Sequence, residues 1–357
     1  MERRRLGKTG LEVTALGFGA IKLPKITAHE AARALNRALD LGVNFVDTSR
    51  TYGDSEYKIG AALKHRRAEY LLATKSNARD AAGLRQDLET SRRELQTDYV
   101  DLFQLHSVSN AEAWRQVMAP GGALEEALRA RQQGLVGHVG LSAHRALQVM
   151  EQAISSGQFE TIMVAYSPLD NEGVEPRVLP LAAARGMGVI AMKSLAGGLL
   201  SVPDDMKAGG RDPVVAGCLR FVLSHPAVTL VIPGMESAAQ VEENVATVEE
   251  SIRLSDRERE ELFAALGRLN RTYRYGQTCL RCGYCQPCPQ GVVVPDVFRA
   301  LQMARGYPDN LKHLARELYE SLAVRASACV ACEECIPKCP AGLIIPERLK
   351  EAVAEFE

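Results

Sequence analysis

Up to about residue 266 the chain alternates between two hydrophobic patterns. Short apolar runs read VTALGFG (13–19), VNFVD (43–47), YLLATK (70–75), YVDLFQLH (99–106), VGHVGLS (136–142), TIMVAYS (161–167), GVIAMKS (188–194) and VTLVIPG (228–234). Their near-continuous apolar character is that of strands buried on both faces. Between them lie stretches with apolar residues at helical spacing, such as AHEAARALNRALDLG (28–42) and LEEALRARQQG (124–134), the latter with Gly134 as its C-cap. Strands alternating with helices predict a parallel sheet layered with helices. Eight such units in about 250 residues are the count and length of a (β/α)8 TIM barrel. A doubly wound open sheet is the competing α/β arrangement, and it often carries a glycine-rich turn after its first strand. No G-x-G-x-x-G follows any strand, and GFGA at 17–20 lacks the third glycine. The barrel is the expected fold.

From about residue 271 the pattern changes. RTYRYG (271–276) leads into two cysteine runs joined by a helical stretch from about Val297 to Ala323, with no strand pattern. The expected organisation is a barrel over 1–270 and a small α-helical module over 271–357. No low-complexity linker and no repeat beyond the two cysteine runs appear.

Charge narrows the partners. Lys and Arg number 43 against 44 Asp and Glu, so no net field attracts nucleic acid or an anionic membrane. Arg3, Arg4 and Arg5 resemble the start of a signal peptide, but Lys8, Glu12 and Thr14 interrupt any apolar segment after them. No run of about 18 apolar residues appears that could span a bilayer. The expectation is a soluble, cytoplasmic protein with neither nucleic-acid nor membrane partner. Cys218 stands alone among the first 278 residues, at a helical position that reads as packing, while eight cysteines fall between Cys279 and Cys339. That clustering points to a reducing compartment and to metal rather than to disulfides.

In a barrel of this kind the active site lies at the C-terminal ends of the strands. Those ends carry Asp47, Lys75, His106, Ser142, Tyr166 and Lys193, and Tyr52 follows Asp47 in the loop DTSRTYG. Charged groups that end apolar strands are costly to bury without a role. Taken singly they have plainer readings: a structural ion pair for Asp47 and Lys75, a core histidine for His106, a surface aromatic for Tyr52. Taken together, at matching strand ends, they point to a catalytic constellation.

The same residues carry a family resemblance. RRLGKTGLEVTALGFG, GVNFVDTSRTYGDSE, the Lys of LLATKSN, the His of DLFQLH and VIPGMES followed by Gln240, Glu243 and Asn244 resemble the aldo-keto reductase family over nearly all of 1–266. The resemblance implies hydride transfer between a nicotinamide cofactor and a small carbonyl or alcohol substrate, with Tyr52 as proton donor. A free phenol titrates near about 10. An ammonium at Lys75, kept charged by Asp47, would lower that value, and His106 would orient the carbonyl as charge develops on its oxygen.

The resemblance also implies a cofactor site at the strand ends. It comprises Gly19, Ala20, Ser142, Tyr166, Lys193, Ser194, Leu195 and Gly197, then Pro233, Gly234, Met235, Glu236, Gln240, Glu243 and Asn244. Ser142 would meet the nicotinamide amide, although Ala143 stands where relatives often have Asn or Gln. Lys193 stands where many relatives stack an aromatic ring, so a ring contact would fall to its aliphatic stem. SLAGG (194–198) is small enough to wrap the pyrophosphate, and Gly234 to Asn244 would cradle the adenosine end at a helix N-terminus. Glu236 would repel a 2′-phosphate and accept from a ribose hydroxyl, which leaves NADP and NAD both open. The long loops (107–123, 168–178, 199–212) carry no cluster that names a substrate.

The cysteine runs are Cys279-x2-Cys282-x2-Cys285-x2-Cys288-Pro289 and Cys329-x2-Cys332-x2-Cys335-x3-Cys339-Pro340. The second is the bacterial ferredoxin pattern and the first is one residue short in its last gap; in that pattern the fourth cysteine ligates the other cluster. Cys279, Cys282, Cys285 and Cys339 are thus expected to hold one [4Fe–4S] cluster, and Cys329, Cys332, Cys335 and Cys288 a second. Two four-cysteine zinc sites are the alternative. Aldo-keto reductases with a ferredoxin-like tail form a subgroup that the whole chain resembles.

A barrel that moves hydride and clusters that pass single electrons do not obviously share one chemistry, and no flavin motif bridges them. The clusters are open to a structural role, redox sensing, or electron transfer with a protein partner. Besides a carbonyl reductase, the alternatives are a redox-sensing nicotinamide-binding protein with negligible turnover and an enzyme passing electrons through the clusters.

Overall fold

The protein's structure, a computed structural model, describes residues 1–144, 146–169, 171, 173–195, 213–270, 279, 283–306, 312–339 and 342–357. Gly197, Cys282 and the 199–212 loop lie outside them. The chain divides into two compact units between Asp256 and Arg257.

In the first unit β1 (Arg3–Arg5) and β2 (Glu12–Thr14) form an antiparallel hairpin, Arg3 opposite Thr14. The apolar run 13–19 therefore is not one strand: Val13 belongs to the hairpin, and the barrel strand is β3 (Phe18–Gly19). The split has a packing cause. Leu6 and Val13 are fully buried against Phe45, Ala73, Leu102, Met163, Ile190 and Leu230, so the hairpin helps fill the barrel. Gly7 allows the approach, because its φ is +53 and a Cβ there would lie 2.2 Å from Gly188 N.

The other barrel strands are β4 (Phe45–Asp47), β5 (Leu71–Ser76), β6 (Val100–Leu105), β7 (Val136–Ala143), β8 (Thr161–Ala165), β9 (Gly188–Met192) and β10 (Leu230–Val231). Each pairs in parallel with the next, from β3 to β10. Parallel bridges Leu16–Val231 and Gly19–Gly234 close the ring. The closure is bonded by Val231 N to Ala15 O and Gly17 N to Val231 O, both 2.9 Å. Here glycine is required by space, since a Cβ on Gly19 would lie 2.7 Å from Ile232 O.

Helices α1 (Ala28–Asp40), α2 (Ser55–Leu63), α3 (Ala81–Leu95), α4 (Ala111–Met118), α5 (Ala123–Gln132), α6 (Leu147–Ser156), α7 (Leu179–Ala184), α8 (Pro213–Ser224) and α9 (Ala238–Glu250) follow or link the strands. Their starts obey local chemistry. Thr27 and Glu30 form a capping box on α1, and Asp80 accepts from Gly83 N on α3. Gly134, φ 73, turns the chain after α5.

The second unit takes in most of α10 (Asp256–Asn270), with α11 (Val294–Gly306), α12 (Lys312–Glu320) and α13 (Ile345–Phe356). The helical stretch expected over 297–323 holds two helices; Gly306 and Pro308 are the breakers in its sequence. Val297, Phe298, Leu301, Tyr319, Ile345 and Leu349 form its core, with Cys285 buried among them. Tyr319 and Phe356 stack at 4.4 Å. No described helix is long and apolar enough to cross a membrane.

Candidate active site

Asp47 ends β4, Lys75 lies near the end of β5, and His106 directly follows β6. Each is at most 2% exposed. Lys75 Nζ donates to Asp47 Oδ1 at 2.5 Å and to Thr48 O at 2.6 Å. Gln104, inside β6, donates from Nε2 to Asp47 Oδ2 at 3.1 Å, so both carboxylate oxygens are held. Burial pushes the Asp47 carboxyl up and the Lys75 ammonium down, and each charge opposes the shift of the other.

Tyr52 sits above this pair. Lys75 Nζ is 5.1 Å from the centre of its ring, and the Tyr52 and His106 rings meet edge to face at 5.7 Å. The loop that presents Tyr52 is tied down by buried polar groups. Thr48 Oγ1 and Ser55 Oγ lie 2.9 Å apart, and Ser55 Oγ donates to Ala20 O at 3.1 Å. Arg50 bridges Glu56 and Glu94. Glu56, fully buried, also accepts from Thr74 Oγ1 at 2.6 Å. Arg50, Glu56 and Gln104 are therefore supporting residues that the sequence reading did not single out. The only signals were a glutamine inside an apolar strand and a carboxylate two residues after a Gly-Asp turn.

His106 Nδ1 lies 2.8 Å from Ser49 Oγ. Burial first, then the charges of Lys75, His144, Arg79 and Lys193, hold its pKa well below the usual range. The imidazole is neutral at neutral pH. Arg79 brackets the next turn by donating to His106 O at 2.9 Å and Ser107 O at 3.0 Å. Ser142 Oγ accepts from Ser107 N at 2.9 Å, which fixes the hydroxyl beside that turn.

The remaining expected cofactor residues fall in two places. At the barrel seam, Gly19 is paired across the strands with Asp47 on one side and bridged to Gly234 on the other, with Ala20 buried beside it. Pro233 and Met235 are buried, and α9 begins there with Ser237 as its cap, accepting from Gln240 N at 3.2 Å. Gln240 Oε1 in turn accepts from Glu236 N at 3.0 Å. Lys22 Nζ reaches within 3.8 Å of Glu236 Oε2, both half-buried. Glu243 and Asn244 lie one turn further on, Asn244 buried. After β9, Lys193 adopts φ 58 and Leu195 is half-buried. Ser194 is wholly buried, and its hydroxyl has no hydrogen-bond partner among the described residues. A buried hydroxyl left so is a position that a polar ligand atom would satisfy.

Tyr166 takes a different setting from the others. Its hydroxyl donates to Glu175 Oε2 at 2.8 Å, and its ring lies against Phe221 and His225, at 5.7 and 6.0 Å. The residue is buried in that layer.

In the second unit, Cys288, Cys329, Cys332 and Cys335 line one cavity with Cys285, Val294, Pro346 and Leu349. Burial, and then the neighbouring thiols of Cys329, Cys332 and Cys288, push the Cys335 thiol up. Among the described residues no three His, Cys, Asp or Glu side chains converge on one metal ion; these thiols ring a cavity instead. Cys279, Cys288, Cys329, Cys335 and Cys339 all pack on the core that contains Cys285. Thiolates around a cavity fit a polynuclear iron–sulfur group.

A sequence model of the aldo/keto reductase family matches residues 15–214, and one of a 4Fe-4S dicluster domain matches residues 278–344. The chain is 30% identical over 285 residues to L-galactose dehydrogenase of Arabidopsis thaliana, covering 70% of this chain and 89% of that one. An aldo-keto reductase from Bacillus halodurans, solved in its holo form, superposes with a TM-score of 0.64 at 29% identity, over 74% of this chain and 96% of that one. An aldo/keto reductase from Klebsiella pneumoniae in complex with NADP and acetate gives a TM-score of 0.60 at 26% identity, over 73% and 94%.

Proposed function

The chain belongs to the aldo/keto reductase family, and from that premise we propose that it is a nicotinamide-dependent carbonyl reductase with an attached iron–sulfur module. It reduces the carbonyl of a small aldehyde or ketone, or oxidises the corresponding alcohol, with Tyr52 as the proton donor. The observation that carries the reading is the Asp47–Lys75 pair beneath the Tyr52 ring, with His106 at its edge.

Bound at the barrel seam, reduced nicotinamide would supply the hydride. Ser142, Tyr166 and the stem of Lys193 would hold its ring, with Ser194, Leu195 and Gly197 along the pyrophosphate. Gly19, Ala20 and the Pro233–Asn244 segment would take the adenosine half at the start of α9. The division of labour follows from charge. His106 is held neutral, so it is a poor proton donor at neutral pH. Accepting from Ser49 at Nδ1 would place its proton on Nε2, aimed at the carbonyl oxygen. The Lys75 ammonium stabilises phenolate on Tyr52, so the phenol can release its proton as the oxygen gains charge. Asp47 keeps that ammonium charged in a dry site.

Glu236 supports NADH over NADPH, since its carboxylate sits at the start of α9, where a 2′-phosphate would lie. Lys22, 3.8 Å away, offsets part of that charge. In the tail, Cys279, Cys282, Cys285 and Cys339 would ligate one [4Fe–4S] cluster, and Cys288, Cys329, Cys332 and Cys335 a second. The test is steady-state reduction of an aldehyde panel with each nucleotide. Tyr52→Phe should lower kcat at least about 100-fold while leaving nucleotide binding intact. Retained turnover in that variant overturns the reading.

A further inference from the structure

The cavity ringed by Cys288, Cys329, Cys332 and Cys335 reaches the surface of the second unit. Cys332 is exposed, and so is the whole run Val330–Glu334. Exposed Pro287 and Pro289 line the same cavity as Val330, with Glu333, Glu334 and Lys338 beside them. Val330, between two cysteines, is 64% exposed. An exposed ligand has a cost, because accessible thiolates are open to oxidation. A group serving only to brace the fold needs no such exposed ligand; on the inner side of the same cavity Cys285 is buried in the core.

Exposed apolar residues with charged ones among them are the composition of a protein contact rather than of a small-molecule pocket. The tail as a whole is nearly neutral, with 11 Lys and Arg against 10 Asp and Glu over 271–357. The adjacent carboxylates of Glu333 and Glu334 therefore give this opening a local sign, which Lys338 only partly offsets. We infer that the face formed by Pro287, Pro289, Val330, Glu333 and Glu334 docks a small one-electron carrier protein whose redox edge is ringed by lysine and arginine. The inference rests on reading the tail as an iron–sulfur module. On each encounter one electron crosses beside Cys332, the carrier losing what the thiolate-bound centre gains or the reverse, with no bond or proton moved. Such contacts are small and short-lived, and their association rate depends on charge.

The probe is a lysine-ringed c-type cytochrome mixed in a stopped-flow cell with the anaerobic, dithionite-reduced and desalted full-length protein. The expected bimolecular rate falls steeply as salt rises. E333Q/E334Q should slow it roughly three- to tenfold at low salt and flatten the salt dependence. E317Q/E320Q, which removes the same charge from the exposed side of α12, should leave it unchanged. Iron content, absorbance, and oxidation by a small uncharged quinone report whether the metal centres and their electrons are intact in each variant. Equal slowing by both pairs, or a rate indifferent to salt, overturns the docking face while the iron–sulfur reading stands. Protein without iron and sulfide overturns the reading beneath it.

Discussion

Lys75 places its ammonium 2.5 Å from Asp47 Oδ1 at a depth where neither side chain is more than 3% exposed. A pair so buried gains little net stability, because desolvation of both ions offsets their attraction. Removing one partner is far worse than removing both. Asp47→Asn leaves a buried ammonium without its counter-charge and should cost about 3–5 kcal/mol. Asp47→Asn/Lys75→Met removes both charges and should regain most of that stability. Neither variant should recover turnover, since the ammonium beside Tyr52 is compromised in one and gone in the other. Thermal unfolding and kcat on the same samples separate the two outcomes. If the double variant is both stable and active, the pair is only structural.

His106 gives a pH signature with a definite sign. Its folded-state pKa lies well below its ordinary value of 6.5, chiefly through burial. The unfolded chain takes up the proton first, so the stabilisation is complete above about pH 6.5 and is lost as pH falls towards the folded pKa. One proton contributes a slope of at most about 1.4 kcal/mol per pH unit. His106→Gln has no such proton, so its unfolding free energy should fall less between pH 7 and 5 than that of the parent protein. Parallel slopes would show that the imidazole is not depressed.

Much of this site is legible in sequence because burial makes charge conspicuous. Asp47, Lys75 and His106 end apolar runs, and the structure gathers all three around Tyr52. The barrel is legible for the same reason, through eight runs whose pairing follows chain order. What was hidden depends on partners distant in sequence. The β1 strand is three arginines with no apolar alternation, and it exists because it pairs with 12–14 and brings Leu6 into the barrel. The Arg50–Glu56–Glu94 bridge joins two segments that no local pattern connects. Tyr166 ends an apolar run at the expected cofactor side, and its hydroxyl is engaged by Glu175 in the short helical turn Val174–Val178. Strand position alone cannot reveal that partner.

Glu236 makes nucleotide choice testable by one charge. Its backbone N–H donates to Gln240 and its carboxylate faces Lys22, so substitution of the side chain leaves the α9 cap in place. A like-charge contact at a half-exposed site is worth up to about 1 kcal/mol. Glu236→Gln should therefore raise kcat/KM for NADPH by roughly three- to fivefold and change that for NADH by less than about twofold. Lys22→Met should shift the ratio the other way, because it removes the partial offset. If both variants leave the ratio of the two nucleotides unchanged, Glu236 does not face the ribose.

The cysteine runs make a prediction that chain order alone would get wrong. Cys288 belongs to the first run, yet it lines the same cavity as Cys329, Cys332 and Cys335, with Cys285 beside it. Cys339 closes the second run and packs on the core around Cys285, as Cys279, Cys288, Cys329 and Cys335 also do, so its assignment to the first cluster follows from the ferredoxin pattern. A tight C-x2-C-x2-C loop supplies three thiolates to one face of a cuboidal cluster, and its trailing cysteine reaches the neighbour. Cys288→Ala and Cys329→Ala should accordingly perturb the same cluster, seen as loss of the same component in the electron paramagnetic resonance spectrum of the reduced protein. Cys339→Ala should perturb the other. Each single variant should lower iron by about four atoms from about eight per chain where the damaged cluster is lost entirely. If Cys288→Ala and Cys279→Ala remove one component and Cys329→Ala and Cys339→Ala the other, each run serves its own cluster and the exchange of fourth ligands is wrong.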